Sequence, residues 1–513
     1  MRVKINFWRI LAILAVILGV AFRLVRVGDL GYFMLDEERD AFLVRRMLVD
    51  HRPLLIGGVI PGGINVGPLF FYISAIPYEL SNLNPVGPAY AAALVGVLSV
   101  LAVYFIGKKL FDEKTAILAT IFSGFSLLNI IYNRPWWPLT MSQLVVLVAY
   151  FALLKLVIKG SDLAEQGRTL TLLVFALIVG AQSDPSTLSL IPLSVIWLWW
   201  KRKQIKLPGK LIVSMIGIFL LAHITWFIFE LRHDFLNTRA GVNLFGKVFK
   251  GPTLASAKVG PFQTLQMTSA MLYRLFIPTG ELDVTKQISP AEEFMKPRLE
   301  GVWWPGAWGL LAGIFIYTFL ASKGYTLKGV TFSDKLLARQ ILSLHFIISL
   351  AGILAYTFAF PGYVHEWMWA FMFPAFFLMT ADILLMFTKL FKMGSFVNFP
   401  LVVAVVIWAI WQLTLFSRLT NIAGLGAKLK IVEEAQAQIV GRPYELRSEG
   451  QDALRYGGWR YLFTLSGNPP VKSYMDYVYQ NWLYPEIEEK PEVILTILNH
   501  ENIKTLKHES NPF

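Results

Sequence analysis

A chain of 513 residues that is 55% hydrophobic, 14% aromatic and only 16% charged carries more apolar surface than one water-soluble core can hide. The formal net charge of +13 does not point to nucleic acid, because Lys and Arg fall in short loops between apolar runs rather than on one face of a domain. Cysteine is absent, which excludes disulfides, thiol nucleophiles and Cys-based zinc sites.

The first apolar run, Ile5 to Leu24, has no small-x-small cleavage site after it and reads as a retained helix rather than a removed signal. GYFMLDEERDAFLVRRML, Gly31 to Leu48, follows. It sets Asp36, Glu37, Glu38 and Asp40 at the start of an amphipathic helix from roughly Glu37 to Asp50. GGVIPGGINVG, Gly57 to Gly67, reads as a flexible connector; with no strand before it and no GK[ST] after it, it is not a nucleotide loop. PLFFYISAIPYEL, Pro68 to Leu80, is apolar but short and interrupted by Pro77, and reads as an interfacial helix. Further spans are expected at Pro88 to Gly107, Thr115 to Ile131, Leu139 to Val157, Thr169 to Gln182, Pro185 to Trp200, Leu211 to Phe229, Trp303 to Ala321, Ile341 to Phe360, Glu366 to Phe387 and Phe399 to Ser417.

With Pro68 to Leu80 not crossing and the N-terminus cytoplasmic, the Lys- and Arg-rich loops such as Lys201 to Lys210 face the cytoplasm. Arg134 is then the one basic residue of the short outer loops, as the positive-inside rule requires. The expectation is an all-α polytopic protein of the cell membrane with about eleven transmembrane helices over residues 1–419. Its outer loops are 25–87 and 230–301. The amphipathic AKLKIVEEAQAQIV, an aromatic, turn-rich stretch from Tyr456 to Tyr484 and the strand-like EVILTIL make a small external α+β domain of residues 420–513.

Two readings of the acidic cluster stay open. Asp36 caps the helix and the other acids favour its positive end, or the cluster is a site at the outer membrane face. Other polar groups close spans at the same level: Arg134 beside Trp136 and Trp137, Asp184, Arg232 with His233, and His365 with Glu366. A guanidinium at that level can hold a phosphate on two N–H groups.

The Asp36–Glu37 pair after a first helix, the interfacial helices, and then VYFIGKKLFDEKTAILATIFSGFSLLNIIYNRPWWP resemble the GT-C superfamily of membrane glycosyltransferases. The look is that of bacterial relatives of protein O-mannosyltransferases and of aminoarabinose transferases. The resemblance covers the chain to about Phe235 and implies a polyprenyl-phosphate-linked sugar donor within membrane lipid. It also implies a hydroxyl acceptor in protein, lipid or glycan, Asp36 as catalytic carboxylate with Glu37 its neighbour, and Arg134 as donor-phosphate ligand. Arg232 or His233 is a further candidate for that phosphate, and Asp184, His365 and Glu366 are candidates without a role. The superfamily leaves room for a divalent metal. However, many relatives carry a second acid where this chain has Asn133, and NVGPLFF stands where relatives often have His-Pro-Pro, so no metal ligands are assigned. The alternatives are a transporter or lipid flippase, against which the gathering of polar residues at one face speaks, and a non-catalytic binder of lipid-linked sugar.

Overall fold

The computed structural model describes the chain except for residues 1–6, 61, 159–161, 206–207, 251–259, 280–298, 300, 325–334, 360–363, 391–394, 420–423, 440, 449–456, 474–482, 484–486, 498–502 and 508–513. Much of the expected outer loop 230–301 and of the stretch Tyr456 to Tyr484 lies outside the described residues.

Among the described residues, seven helices are long and apolar enough to cross a bilayer: Val86–Leu110, Pro138–Val157, Leu163–Ser183, Trp304–Lys323, Leu336–Thr357, Glu366–Thr388 and Pro400–Arg418. An eighth crossing is made by Gly209–Ala222 and Ile224–Arg232 if the pair, bent by 54°, is one span. Ile10–Leu24, Leu69–Leu80 and Pro185–Trp200 are shorter apolar helices.

In chain order, the elements that frame the site are α1 (Phe7–Leu24), α2 (Val27–Leu30), α3 (Leu35–Val49), the strands β1 (Val59–Ile60) and β2 (Ile64–Asn65), α4 (Leu69–Leu80) and α5 (Val86–Leu110). Then come α6 (Glu113–Phe125), α7 (Leu127–Tyr132), α8 (Ser142–Val157), α9 (Leu163–Ser183), α10 (Leu190–Trp200), α11 (Gly209–Ala222), α12 (Ile224–Arg232), α13 (Leu236–Lys250) and α14 (Pro261–Phe276). The bundle closes with α15 (Trp304–Lys323), α16 (Leu336–Ala359), α17 (Phe373–Leu390) and α18 (Ser395–Arg418).

The expected span Thr115 to Ile131 is divided. Asp112 starts α6 by accepting from Thr115 N at 2.8 Å, and the helix stops at Ser126, whose hydroxyl donates to Leu275 O at 2.7 Å. Ser126 then caps α7. Every residue of α6 from Thr115 on is buried, which makes it the central helix of the bundle. Small residues let α1 approach it closely: a Cβ on Gly19 would stand 3.0 Å from the Gly124 backbone.

The glycine-rich connector is a paired hairpin, not a flexible link. Gly57 N donates to Val66 O at 2.7 Å and Val66 N to Gly58 O at 3.0 Å, and the turn closes through Gly62 and Gly63, both at positive φ. Asn65 fastens the hairpin to α13, its N and Nδ2 both donating to Asn237 Oδ1. Glu230 in turn accepts from Asn237 N and Thr238 N and so closes the corner between α12 and α13.

The tail holds α19 (Leu425–Ile439), β3 (Tyr444–Ser448), α20 (Trp459–Leu465), β4 (Lys472–Ser473), β5 (Val493–Ile497) and β6 (Ile503–Lys507). The strands form one sheet in the order β4-β3-β5-β6, β3 parallel to both neighbours and β6 antiparallel to β5. Tyr461 of α20 inserts among Phe33, Phe42 and Tyr78, with ring centroids 5.5, 5.1 and 6.4 Å away. That aromatic cluster seats the tail on α3 and α4.

Candidate active site

Helix α3 starts at Leu35, two residues before the expected Glu37, and Asp36 does not cap it. Met34 is the extended residue at the boundary, and the Glu37 carboxylate reaches back to accept from Met34 N at 3.1 Å. Asp36 lies inside the first turn with its side chain 71% exposed, and accepts from Arg39 Nη1 at 2.9 Å. Arg39 also holds Asp40, through Nε at 2.9 Å and Nη2 at 2.8 Å. Asp36 and Asp40 are four residues apart and therefore share a helix face.

Burial sorts these acids. Glu37 is buried, and loss of water together with the adjacent Asp36 charge pushes its carboxyl up to about 7. Burial pushes Asp40 up to about 6, against the pull of Arg39. Glu38 is fully buried and faces the tail: its Oε2 accepts from Gly458 N at 3.0 Å and its Oε1 from Tyr461 N at 2.9 Å. The expectation that Glu38 serves only its own helix end is thus corrected, because the carboxylate serves the start of α20 instead. Two glycines allow the approach. Gly458 sits at φ 91°, and a Cβ there would come within 2.6 Å of Phe33 O.

Arg134 lies just beyond α7, only 3% exposed. Its Nη2 donates to Phe22 O and Val25 O, at 2.7 and 2.8 Å, which caps the end of α1. Its guanidinium lies 5.5 Å from the Phe416 ring centroid. Nε and Nη1 are buried without a hydrogen-bond partner. Sequence reasoning missed its neighbour Arg23, although an arginine inside an apolar run is itself a signal. Arg23 is buried and saturated: Nε donates to Asn133 Oδ1 at 2.9 Å, Nη1 to Gly19 O and Gly124 O, and Nη2 to Ser123 O.

The remaining candidates are built into other parts of the frame. Asp184 caps the 3-10 turn Pro185–Ser189, accepting from Ser186 N at 2.8 Å and from the Ser186 hydroxyl. Arg232 and His233 are exposed at the end of α12, where His233 Nδ1 turns back onto Phe229 O at 2.9 Å; neither hydrogen-bonds to Asp36 or Arg134. Glu366 is buried in an ion pair with Arg274 of α14, and His365 stacks on Trp367. The cavity beside these two has a volume of about 10 Å³, room for a water and not for a sugar.

Among the described residues no three His, Asp or Glu side chains converge as ligands, and the one oxygen that Asn133 could offer is engaged by Arg23.

Residues 65–226 match the family model described as dolichyl-phosphate-mannose-protein mannosyltransferase. No curated protein matches the sequence. In fold, the chain is similar to the crystal structure of ArnT from Cupriavidus metallidurans bound to undecaprenyl phosphate, with a TM-score of 0.54, 13% identity, and coverage of 94% of this chain and 92% of that one. It is also similar to the oligosaccharyltransferase of Archaeoglobus fulgidus in its apo form, with a TM-score of 0.52 and 12% identity over 92% of this chain and 65% of that one. The helical multi-pass architecture is therefore the GT-C fold. The family match falls within the first half of the chain, among the helices that share this fold.

Proposed function

We propose that this protein is a membrane glycosyltransferase of the GT-C superfamily and moves a sugar from a polyprenyl-phosphate donor to an acceptor hydroxyl, in protein, lipid or glycan, at the outer face of the membrane. The N-terminus is cytoplasmic and the tail external, the orientation favoured by the basic loops. An external enzyme is supplied through the lipid, because a polyprenyl chain can lie between helices with its phosphate at the interface. The undecaprenyl phosphate named with the ArnT structure supports that class of donor.

The acceptor oxygen attacks the anomeric carbon as the bond from that carbon to the donor phosphate breaks, and the hydroxyl proton passes to the Asp36 carboxylate. Polyprenyl phosphate leaves with its charge, which needs a cation rather than an acid. Arg134 supplies that cation, its Nε and Nη1 not engaged by protein groups. Attack opposite the phosphate inverts the anomeric centre.

The observation that carries the reading is the combination of a buried guanidinium with two unused N–H groups and an exposed carboxylate at the start of α3. The test is mass spectrometry of envelope glycans, glycolipids and glycoproteins from cells with the gene, without it, and with Asp36→Asn. Loss of the same sugar in the last two supports the reading; a normal profile with Asp36→Asn overturns the assignment of the base.

A further inference from the structure

One peptide unit ties the tail to the acidic helix. The carbonyl of Phe33 accepts from Lys428 Nζ of α19 at 2.6 Å, and the N–H on the other side of the same peptide, that of Met34, donates to the Glu37 carboxylate at 3.1 Å. A cation thus grips one end of the peptide dipole and a carboxylate the other. Each polarises the unit in the sense that strengthens the other bond, and both bonds are charge-assisted.

Lys428 is buried, and its ammonium also donates to Gly457 O at 2.7 Å and lies 5.4 Å from the Trp459 ring centroid. Gly457 adjoins Gly458, whose N–H is held by Glu38. Lys428 therefore enters from the tail between the structures that fix Glu37 and those that fix Glu38.

We propose that Lys428 is a positioning residue of the active site. Through the Phe33–Met34 peptide it holds Glu37, and with Glu38 it fixes the first turn of α3, so that Asp36 is presented in its working place only while the tail is docked. The proposal rests on the reading of Asp36 and Glu37 as the active site.

The charges around the pair are consistent with that role. Glu37 faces Asp36 and Asp40, which oppose its ionisation, and Tyr78 lies within their field. Glu38 faces Lys428 and Arg460. Lys428 is pushed down to about 7 by burial, against the pull of Glu38 and Glu37. Removing the ammonium takes away the cation that favours the ionised form of Glu37.

The test is infrared titration of the full chain in nanodiscs, with the protonated-carboxyl band of Glu37 assigned by its loss in Glu37→Gln. Lys428→Gln keeps a hydrogen-bond donor for Phe33 O and removes the charge, and its Glu37 midpoint should rise by about one pH unit or more. Lys428→Arg keeps the charge and should hold the midpoint near that of the wild type. An unchanged midpoint in Lys428→Gln overturns the proposal, as does an equal rise in both variants, which a merely structural lysine would give. If Lys428→Gln does not fold, Lys428→Met and Glu38→Gln give the same comparison: only the first should move the Glu37 midpoint by a full unit. No sugar transfer is needed for this readout, so its failure is distinct from failure of the Asp36 reading, which the Asp36→Asn envelope profile decides.

Discussion

Two regions of the bundle bury charge, and they are finished differently. At the end opposite α3, Arg339 of α16 donates to both oxygens of Asp382 in α17, at 2.6 and 3.1 Å, and Tyr317 of α15 adds a third bond at 3.1 Å. Lys335 approaches the same carboxylate and pairs with Asp112 at the start of α6. Four helices are stapled by a set of charges that answer one another. Near α3, Arg134 keeps two buried N–H groups unused and Asp36 stands largely in solvent. A closed network stabilises a fold, whereas an open one of the same residue types costs stability and is kept where something else completes it.

The largest expected effect breaks the closed side of this comparison. Arg339→Met would leave Asp382 buried without its main partner, at a cost of about 3–5 kcal/mol. The check is thermal unfolding in detergent. Replacing Asp382 by Leu in the same protein should recover most of the loss, and transfer per folded molecule should not change.

On the open side the ranking reverses. Asp36→Asn keeps size and most hydrogen bonding but removes basicity, so turnover should fall by about 10²-fold or more while melting is unaltered. Glu38→Gln is its counterpart two residues away. It weakens charge-assisted bonds to Gly458 and Tyr461 and should show in melting, by roughly 1.5–3 kcal/mol. Equal behaviour of the two variants would erase the distinction between a working acid and an anchoring one.

A smaller effect is expected at the guanidinium. Arg134→Ala should weaken binding of a polyprenyl-phosphate sugar about tenfold or more, measured in nanodiscs. Lys at that position restores charge without the planar guanidinium and should recover only part of the affinity. Because Nη2 also holds Phe22 O and Val25 O, melting must be followed alongside, and a loss of affinity without a loss of stability assigns the unused N–H groups to the donor.

The sequence made the long spans legible because each is an uninterrupted apolar run, and Val86–Leu110 or Pro400–Arg418 could be found by length alone. The break at Ser126 was not legible, since the hydroxyl that stops α6 bonds to Leu275, 149 residues away. The hairpin was legible in part: VIPGGIN places two short β-compatible runs around a Gly-Gly turn, yet what holds it is Asn237, far along the chain. Among the candidate residues, Asp36 and Arg134 stood out by composition, one in an acidic run and the other alone in an outer loop. Glu38 and Lys428 did not, because 420 and 395 residues separate them from their partners Gly458 and Phe33, and the pairing exists only once the tail has docked.

The finest distinction lies within the acidic helix and can be read from pH. Glu37 has its folded value raised from about 4.5 to about 7 by burial and by Asp36. Between those values the folded protein keeps a proton that the unfolded chain has released, so the stabilising contribution is complete below about 4.5 and is lost as pH rises through about 7. Asp40 behaves alike, ending near 6. Lys428 runs the other way: its value is lowered to about 7, so its contribution is complete above about 10.5 and is lost as pH falls through about 7. Glu37→Gln mimics the protonated acid at every pH and isolates the first of these effects. Its melting temperature should match that of the wild type near pH 5 and exceed it by a few degrees near pH 8. A constant offset between Glu37→Gln and wild type across that range would mean that Glu37 is ionised throughout, and the open region would then differ from the closed one by its unused bonds alone.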